Sequence, residues 1–388
     1  MRIGIDYTSA VWQGAGIGRY TRELIRAVVA QGHAHEYVLF YAARGLTEQH
    51  FLKDLHRLQA DFPYVDAAPI PLSPHRLAQF WHRLRVPLPV EVFTGRLDAL
   101  HAPDFVVPPT FAPSLVTIHD LSFLIYPQFA VPGVVRYLST AVPRSLKRAS
   151  LVLADSEATR HDLDRLLHVP KEHVTVVYPG VSGAFQPLPP AVYEPVRHKY
   201  GLTDDFLLFV STLNPRKNVV RIVEAFAALI ANVQRPTLHL ALVGQRGWLY
   251  DEIFATIERL QLAERVRVLD FVDDSDLPAL YNAAAACVYP SLYEGFGLPA
   301  LEALACGTPL VTANNSSLTE VAAGVAVLAD AEDVTSIASG IAQVLDDAAL
   351  RSRFRAAGLE RAKRFTWEHA AAQVLACYEQ LHAQHRRA

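Results

Sequence analysis

The strongest constraint on the fold is an alternation that runs along the whole chain. Short runs of Val, Ile, Leu and Phe alternate with longer stretches of helical period, which is typical of buried parallel strands joined by crossover helices. In the first half, the predicted strands are 2–6, 37–41, 97–101, 115–119, 151–154 and 174–177. The predicted helices between them are 17–30, 47–58 and 134–148.

The alternation restarts after residues 178–190, a stretch with four prolines and two glycines that is typical of a linker. The strands predicted beyond it are 206–210, 238–243, 266–269, 287–289, 310–312 and 326–328. We therefore expect an α/β protein with two Rossmann-like, doubly wound domains, residues 1–185 and 191–366. A C-terminal helix within 367–388 is expected to return to the first domain. Ligands of such sheets bind beyond the carboxyl ends of the strands, so the expected active site is a cleft between the domains.

Composition excludes several classes of protein. The 388 residues include 36 Lys and Arg against 39 Asp and Glu, a net charge of -3 that gives no basic field for a nucleic acid. The three cysteines are too few and too scattered for a disulfide framework or a CxxC metal site. We expect a cytoplasmic protein, because the sequence also has no signal-peptide pattern and no apolar run long enough to span a bilayer.

The segment 289–309, YPSLYEGFGLPALEALACGTP, carries the strongest functional signal. A strand runs into a loop with Gly295 and Gly297, and a proline then marks the start of a helix. Glycines let the backbone approach a ligand and a helix N-terminus attracts anions, so the pattern predicts a phosphate pocket. Glu294 and Glu302, the latter expected in the first helical turn, would face the same ligand. The alternative is that Glu302 complements the helix dipole and Glu294 is solvated.

A second candidate is the segment 210–218, VSTLNPRKN, in which a strand ends and a helix begins. Arg216 and Lys217 add two cations near a helix N-terminus, which is an arrangement that neutralises a diphosphate. The alternative is a solvated pair in a first helical turn.

The first half offers a glycine-rich loop and two histidines at predicted strand ends. The loop 12–20, WQGAGIGRY, is a poor dinucleotide fingerprint, and its glycines could serve helix packing alone. His119 ends a strand, and Asp120 would orient or charge its imidazole; such a histidine alone is more often structural. His101 ends the previous strand and is a weaker candidate. The segment with Asp155 mainly suits helix capping.

The segment from Glu294 to Glu302 resembles the paired-glutamate signature of family-four retaining glycosyltransferases, which have the GT-B fold and include bacterial mannosyltransferases. The resemblance implies that Glu294 contacts donor-sugar hydroxyls and that Glu302 holds the nucleotide ribose. It implies further donor contacts at Gly16, Gly295, Phe296, Gly297, Leu298, Phe271 and Val272. It also implies a diphosphate site at Lys217 and Arg216, a sugar contact at His119, and acceptor-side positions at His101 and Asp120.

Neither a metal nor a resident cofactor is expected. Two Asp-x-Asp motifs, 162–164 and 274–276, lie in or at the start of predicted helices, where acidic residues have a structural explanation. By the resemblance, Arg216, Lys217 and the helix ends take the place of a metal at the diphosphate.

The function expected is a retaining, metal-independent transfer of a hexose from a nucleoside diphosphate sugar to a saccharide or lipid-linked acceptor. GDP-mannose is favoured by the resemblance to mannosyltransferases, and a UDP-sugar is the other donor considered. Two alternatives stay open: a UDP-sugar epimerase of the same fold and a nonenzymatic nucleotide-sugar-binding protein. The basic, aromatic segment 75–90 fits contact with an anionic lipid or a lipid diphosphate acceptor at the inner face of the membrane, although a solvated basic helix face has the same composition.

Overall fold

The computed structural model describes residues 1–46, 49–232, 237–270 and 272–385. These residues form two compact units, each built around one parallel sheet. The first unit contains Met1–Leu124, Gly133–Gly180 and the C-terminal helix, and the second contains Ile125–Pro132 and Val181–Thr366. The predicted α/β class with two doubly wound sheets is confirmed.

The first sheet has the strand order β3-β2-β1-β4-β5-β6-β7, and neighbouring strands pair in parallel. Its strands are β1 (Arg2–Asp6), β2 (Glu36–Ala42), β3 (Val65–Ile70), β4 (Ala99–Ala102), β5 (Ser114–Ile118), β6 (Leu151–Ala154) and β7 (Val174–Val176). β3 is the strand that the sequence pattern missed. It contains Pro69 and is only partly buried, which an edge strand tolerates because one of its sides needs no partner strand.

The second sheet has the order β10-β9-β8-β11-β12-β13, again in parallel. Its strands are β8 (Phe206–Val210), β9 (His239–Val243), β10 (Val266–Leu269), β11 (Ala286–Tyr289), β12 (Leu310–Ala313) and β13 (Val327–Ala329). The central strands are buried on both faces, as Phe206, Leu208 and Phe209 illustrate in β8, so their sequences are continuous apolar runs.

The helices cover the sheets. The helices that precede β7 in the chain are α1 (Thr8–Trp12), α2 (Gly16–Gln31), α3 (Gln49–Asp61), α4 (Pro74–Ala78), α5 (Glu91–Thr94), α6 (Ser122–Ile125), α7 (Pro132–Arg148) and α8 (Glu157–Leu167). Those that follow are α9 (Pro190–Lys199), α10 (Val219–Asn232), α11 (Asp251–Arg259), α12 (Leu277–Ala283), α13 (Leu298–Cys306), α14 (Leu318–Ala322), α15 (Val334–Asp346), α16 (Ala348–Ala362) and α17 (Trp367–His385).

Helix α17 belongs to the first unit, as the sequence predicted, and it packs on α2. Its fully buried positions recur with helical period: Ala370, Ala371, Val374, Tyr378 and Leu381. Removing this apolar stripe from water stabilises the first unit by the hydrophobic effect.

The observed units differ from the predicted domains 1–185 and 191–366 in two places. Residues 125–132 and 181–185 belong to the second unit. Within that unit, the indole N–H of Trp248 donates to the carbonyl of Phe129 at 2.6 Å, and the rings of Tyr126 and Tyr293 lie 6.3 Å apart. The sequence pattern could not assign this short segment, because its partners are more than a hundred residues away along the chain.

Each sheet has a point where the strand order reverses direction. In the first sheet it lies between β1 and β4, and in the second between β8 and β11. Loops leaving two such strands diverge to opposite sides and leave space for a ligand beyond their carboxyl ends. These two points therefore position the candidate sites.

The glycine-rich segment 12–20 includes two glycines in the first turn of α2 that have different surroundings. A Cβ on Gly18 would lie 2.0 Å from the carbonyl oxygen of Gln13, whereas a Cβ on Gly16 would meet no atom within 4 Å. Gly18 therefore serves close packing of the loop against α2, and Gly16 is exposed at the first position of the helix.

We expect Gly18→Ala to destabilise the first unit by about 1–3 kcal/mol, because the new methyl overlaps backbone that cannot move freely. Alanine is otherwise favoured over glycine inside a helix, so a decrease in the free energy of unfolding would be due to the overlap and not to helix propensity. The matched Gly16→Ala variant should change stability by no more than about 0.5 kcal/mol. Urea unfolding followed by circular dichroism measures both; equal midpoints for the two variants would contradict this explanation.

Candidate active site

In the second unit, the turn after β8 brings the predicted cations to the reversal point. Pro215–Lys217 forms one 3-10 turn, and Asn218 follows in a left-handed conformation with φ 63°. The Asn218 amide donates to the carbonyls of Pro290 at 2.9 Å and Ala331 at 2.6 Å. The first bond fixes the turn to the loop after β11, the neighbouring strand, and the second fixes it to the segment after β13.

Glu294, in that second loop, is the centre of a buried ion cluster. Its Oε1 accepts a hydrogen bond from Lys217 Nζ at 2.6 Å, and its Oε2 accepts one from Arg216 Nη1 at 3.0 Å. Glu294 and Lys217 are only 5% and 8% exposed. Arg216 also donates to the Tyr293 carbonyl at 2.6 Å. The structure therefore brings together three residues that the sequence predicted separately.

The electrostatics keep this carboxylate ionised. Burial alone would raise the pKa of Glu294, but the charges of Lys217 and Arg216 outweigh it and lower the pKa to about 2. The backbone of Glu294 is fixed as well, since its N–H donates to Ser316 Oγ at 3.1 Å and its carbonyl accepts from Ser317 Oγ at 2.9 Å. The site is thus preorganised, with two cations already beside the loop that precedes α13.

Tyr289 is a member of this cluster that sequence reasoning missed. It ends β11 and is fully buried, and its hydroxyl donates to Glu294 Oε1 at 2.8 Å while accepting from Lys217 Nζ at 3.0 Å. The sequence signal that could have identified it is the hydroxyl group of a tyrosine at the last position of an otherwise apolar strand. Tyr289 links both ions and so restricts the lysine and the glutamate to one geometry.

Glu302 occupies a different position from the one predicted. It is the fifth residue of α13, so it lies beyond the first turn, where no acidic residue is found. Its side chain is 2% exposed, and its Oε2 accepts a hydrogen bond from the Tyr281 hydroxyl at 3.0 Å. The alternative of a surface residue that complements the helix dipole is therefore wrong for this glutamate.

The loop between the two glutamates has the geometry that its glycines predicted. Gly297 adopts φ 97°, and a Cβ there would lie 2.6 Å from Leu318 Cδ2. Phe296 turns its ring into the core, 5.6 Å from the ring of Phe365. The segment 295–297 therefore offers backbone, and not a large side chain, before the start of α13.

The predicted base-flanking pair is described only in part. Val272 is buried, at 9% exposure, whereas Phe271 lies outside the described residues. Nearby, Arg246 and Asp270 form an exposed ion pair at 3.1 Å.

In the first unit, His119 follows β5 and lies between two acceptors. Its Nδ1 is 2.7 Å from Asp155 Oδ2, and its Nε2 is 2.9 Å from the Pro103 carbonyl oxygen. The Tyr20 and Phe105 rings pack edge-on at centroid distances of 4.7 and 5.3 Å. Because a carbonyl oxygen only accepts, and a carboxylate accepts as well, both ring nitrogens carry protons.

The charge on this imidazole agrees with that geometry. Burial alone would lower the pKa of His119, but negative charge around it, above all on Asp155, raises the pKa to about 9. Asp104 and Asp120 contribute in the same direction. His119 is thus a buried imidazolium at neutral pH, paired with a residue for which the sequence indicated only helix capping.

Asp120 does not bond to the imidazole, so the predicted orienting role is wrong, although its negative charge helps to raise the pKa of His119. Its Oδ1 accepts from the Ser122 N–H at 2.8 Å, so it caps the start of α6. The capping predicted for the segment around Asp155 is confirmed at Ser156, whose Oγ accepts from the Thr159 N–H at 3.0 Å. Asp155 is therefore available to His119.

His101 lies in the core and not on a surface that an acceptor could touch. It is fully buried, with Nδ1 2.7 Å from the Tyr378 hydroxyl and Nε2 3.4 Å from Thr117 Oγ1. Burial lowers its pKa to about 3, and the positive charge on His119 contributes. In this structure His101 is a neutral residue that fixes α17 to the first sheet.

The two Asp-x-Asp motifs have local cationic partners. Asp276 accepts from Lys199 Nζ at 2.6 Å, and Asp162 accepts from Arg165 Nη2 at 2.7 Å. Within the described ranges, no group of three or more His, Cys, Asp or Glu side chains is arranged to hold a metal ion. In the same part of the chain, no helix combines the length and apolar character needed to cross a membrane.

Comparison with known proteins agrees with this architecture. Residues 194–361 match the family described as glycosyl transferases group 1, and residues 14–184 match Glycosyltransferase Family 4. O-antigen chain mannosyltransferase B of Escherichia coli is 32% identical over 372 residues, which cover 94% of this chain and 96% of that protein.

Solved structures share the fold over nearly the whole chain. Sucrose-phosphate synthase from Thermosynechococcus elongatus superposes with a TM-score of 0.78 at 22% identity, covering 99% of this chain and 100% of the other. Anabaena HepE, solved with UDP and glucose, gives 0.75 at 20% identity, covering 98% and 100%. Two doubly wound sheets with a returning C-terminal helix define a GT-B glycosyltransferase fold. The chain belongs to the glycosyl transferases group 1 family, and among its relatives is a mannosyltransferase.

We expect Lys217→Met to destabilise the second unit by about 3 kcal/mol, because it leaves the buried Glu294 carboxylate with one cation fewer. The double variant Lys217→Met/Glu294→Gln should lose less than the sum of its two single variants, since the unpaired charge is gone. Lys199→Met is the matched control at an exposed lysine and should have a much smaller effect. Chemical denaturation of all four variants measures the coupling; strict additivity would contradict the buried ion pair.

We expect the His119 imidazole to titrate near pH 9, well above its ordinary pKa of 6.5. The protonated His119 paired with Asp155 then stabilises the fold at pH 6.5, and this contribution is lost as the pH rises through 9. The ion pair is also lost in acid, where Asp155, whose pKa is raised by burial, becomes protonated. Asp155→Asn should bring the midpoint below 6.5, because burial then acts without its main opposing charge. NMR titration of the imidazole C–H resonances measures this. Asp120→Asn is the control and should cause a smaller drop; an unchanged midpoint in Asp155→Asn would contradict the assignment.

Proposed function

We propose that the protein is a retaining, metal-independent hexosyltransferase that uses a nucleoside diphosphate sugar, with GDP-mannose as the favoured donor. The acceptor would be a saccharide or a lipid-linked saccharide in polysaccharide or glycoconjugate synthesis. The observation that carries the proposal is the buried cluster of Glu294, Lys217 and Arg216 at the strand-order reversal of the second sheet. The 32% identity to a protein named as an O-antigen mannosyltransferase supports mannose as the sugar.

Lys217 and Arg216 would bind the donor diphosphate. Both cations already lie beside the loop Gly295–Leu298, and the start of α13 adds the positive end of a helix dipole. Glu294 holds the two side chains in place in the structure, so little reorganisation is needed when an anion arrives. In the proposed complex, Glu294 keeps Lys217 oriented and accepts hydrogen bonds from hydroxyls of the sugar.

Glu302 would accept hydrogen bonds from the ribose hydroxyls. Its bond with Tyr281 orients the carboxyl group at the fifth position of α13. Phe271 and Val272 would flank the nucleotide base. A cation site for a metal is not part of the proposal, because Lys217 and Arg216 supply the positive charge.

In the first unit, His119 would bring a positive charge to the donor sugar, and Asp155 would keep it protonated. In this role the Nε2–H group would donate its hydrogen bond to a sugar hydroxyl and no longer to the Pro103 carbonyl. Gly16, at the exposed start of the 16-residue helix α2, would offer its amide to a donor phosphate or to the acceptor.

The proposed transfer breaks the bond between the anomeric carbon and the phosphate oxygen, and the electron pair leaves with the nucleoside diphosphate. The acceptor oxygen forms its new bond to the same face of the sugar. The acceptor proton passes to the departing phosphate oxygen, so no separate protein base is required. Lys217 and Arg216 stabilise the negative charge that develops on that leaving group.

The proposal is tested by transfer from labelled GDP-mannose and UDP-glucose to an O-antigen-type mannoside acceptor. We expect turnover with GDP-mannose, and we expect NMR of the product to show that the axial anomeric configuration of the donor is kept. The activity should persist in the presence of EDTA. Thermal-shift measurements with GDP, UDP and ADP should give the largest stabilisation with GDP. Incubation without acceptor should leave the donor sugar unisomerised.

Glu294→Gln and Lys217→Met should each lower transfer by about 100-fold or more, which is typical for loss of a preorganised electrostatic contact. Lys199→Met is the control and should keep full activity, since this exposed lysine pairs only with Asp273 and Asp276 among the described residues. Full transfer by either site variant would refute the assignment of the diphosphate site.

A further inference from the structure

The first unit contains a surface cavity of about 370 Å³ that the proposed transfer reaction does not use. It lies between a π-helical turn, Gln79–Arg83, with the loop that follows it, and the last turns of α7. Four cationic side chains line it: Arg85, Arg144, Lys147 and Arg148. The remaining lining is largely apolar and includes Val86 and Pro109.

The cations in this cavity lack carboxylate partners. Among the described residues, no Asp or Glu oxygen lies within ion-pair distance of any of the four, and Arg148 donates to the Val107 carbonyl. Burial lowers the pKa of Arg148, and the positive charge of Arg144 lowers it further. Burial, with a contribution from Arg148, lowers the pKa of the neighbouring His82 to about 4. Mutually repelling cations around one cavity favour an anionic ligand.

Large apolar side chains lie beside this cavity and are exposed. Leu84, next to Arg85, is 71% exposed, and Phe111, two residues beyond Pro109, is 81% exposed. Val92 is 61% exposed, and it follows Glu91, whose carboxylate accepts the Phe111 N–H at 2.9 Å. Exposed apolar groups next to unpaired cations are typical of surfaces that enter the interface of an anionic bilayer. A small water-soluble phosphate would gain nothing from these three side chains.

We propose that this cavity binds the phosphate of an anionic membrane lipid while Leu84, Val92 and Phe111 enter the adjoining interface. Arg85, Arg144, Lys147 and Arg148 then neutralise the lipid phosphate, and the apolar lining accommodates the glycerol and the start of the acyl chains. The first unit is thereby held at the bilayer surface. This inference concerns one face of the first unit and does not depend on the identity of donor or acceptor.

The test is co-sedimentation of the full chain with phosphatidylcholine vesicles that contain or lack phosphatidylglycerol, without donor or acceptor. The variant Arg85→Gln/Lys147→Gln removes two exposed cations of the cavity. We expect its affinity for the anionic vesicles to fall about 30-fold, because two cations that attract the anionic surface are removed. The control Arg57→Gln/Lys171→Gln makes the same change in net charge at cations that have carboxylate partners, and should bind nearly as the parent does.

A second variant, Leu84→Ser/Phe111→Ser, tests the apolar contribution and should also weaken vesicle binding while leaving the thermal unfolding of the first unit unchanged. Titration with glycerol 3-phosphate, a soluble phosphate, separates the two sources of the anion. Equal vesicle affinity in the cavity and control variants would overturn the proposal. Binding of glycerol 3-phosphate without vesicle binding, or equal binding to vesicles lacking phosphatidylglycerol, would overturn it as well.

Discussion

The buried contact of Glu294 with Lys217 and Arg216 determines the shape of the second unit's candidate site. Charges this deeply buried are tolerated only when they are paired, so the loop after β8 and the loop after β11 cannot move independently. The Tyr289 hydroxyl, which bonds to both Lys217 and Glu294, and the Asn218 amide hold the same two loops. The rigid frame is the sheet itself, whose strand order reverses between β8 and β11.

The first unit applies the same physical principle with different residues. His119 after β5 and Asp155 after β6 come from adjacent parallel strands, and their side chains meet beyond the strand ends at 2.7 Å. Each unit thus places a buried pair of opposite charges at the carboxyl edge of its sheet. Such pairs have shifted pKa values and fixed geometry, which are the properties expected of groups that act on a ligand.

Local patterns were sufficient for the fold class and for several residues of the candidate sites. Periodicity predicted twelve of the strands, and glycine, proline and charge at strand ends located Glu294, Lys217 and His119. The sequence could not predict the partners, because Asp155 reaches His119 and Tyr378 reaches His101 from elements that are distant in the chain. The apolar pattern did not predict β3, because an edge strand needs few apolar residues.

Helix α17 has a consequence for the order in which the protein can be made. The first unit closes its core with Tyr378 on His101 and with an apolar stripe from the end of the chain. During synthesis, the ribosome therefore completes the second unit before the first has all of its residues. The first sheet therefore lacks this cover until α17 has been translated, which happens after every strand of the second sheet.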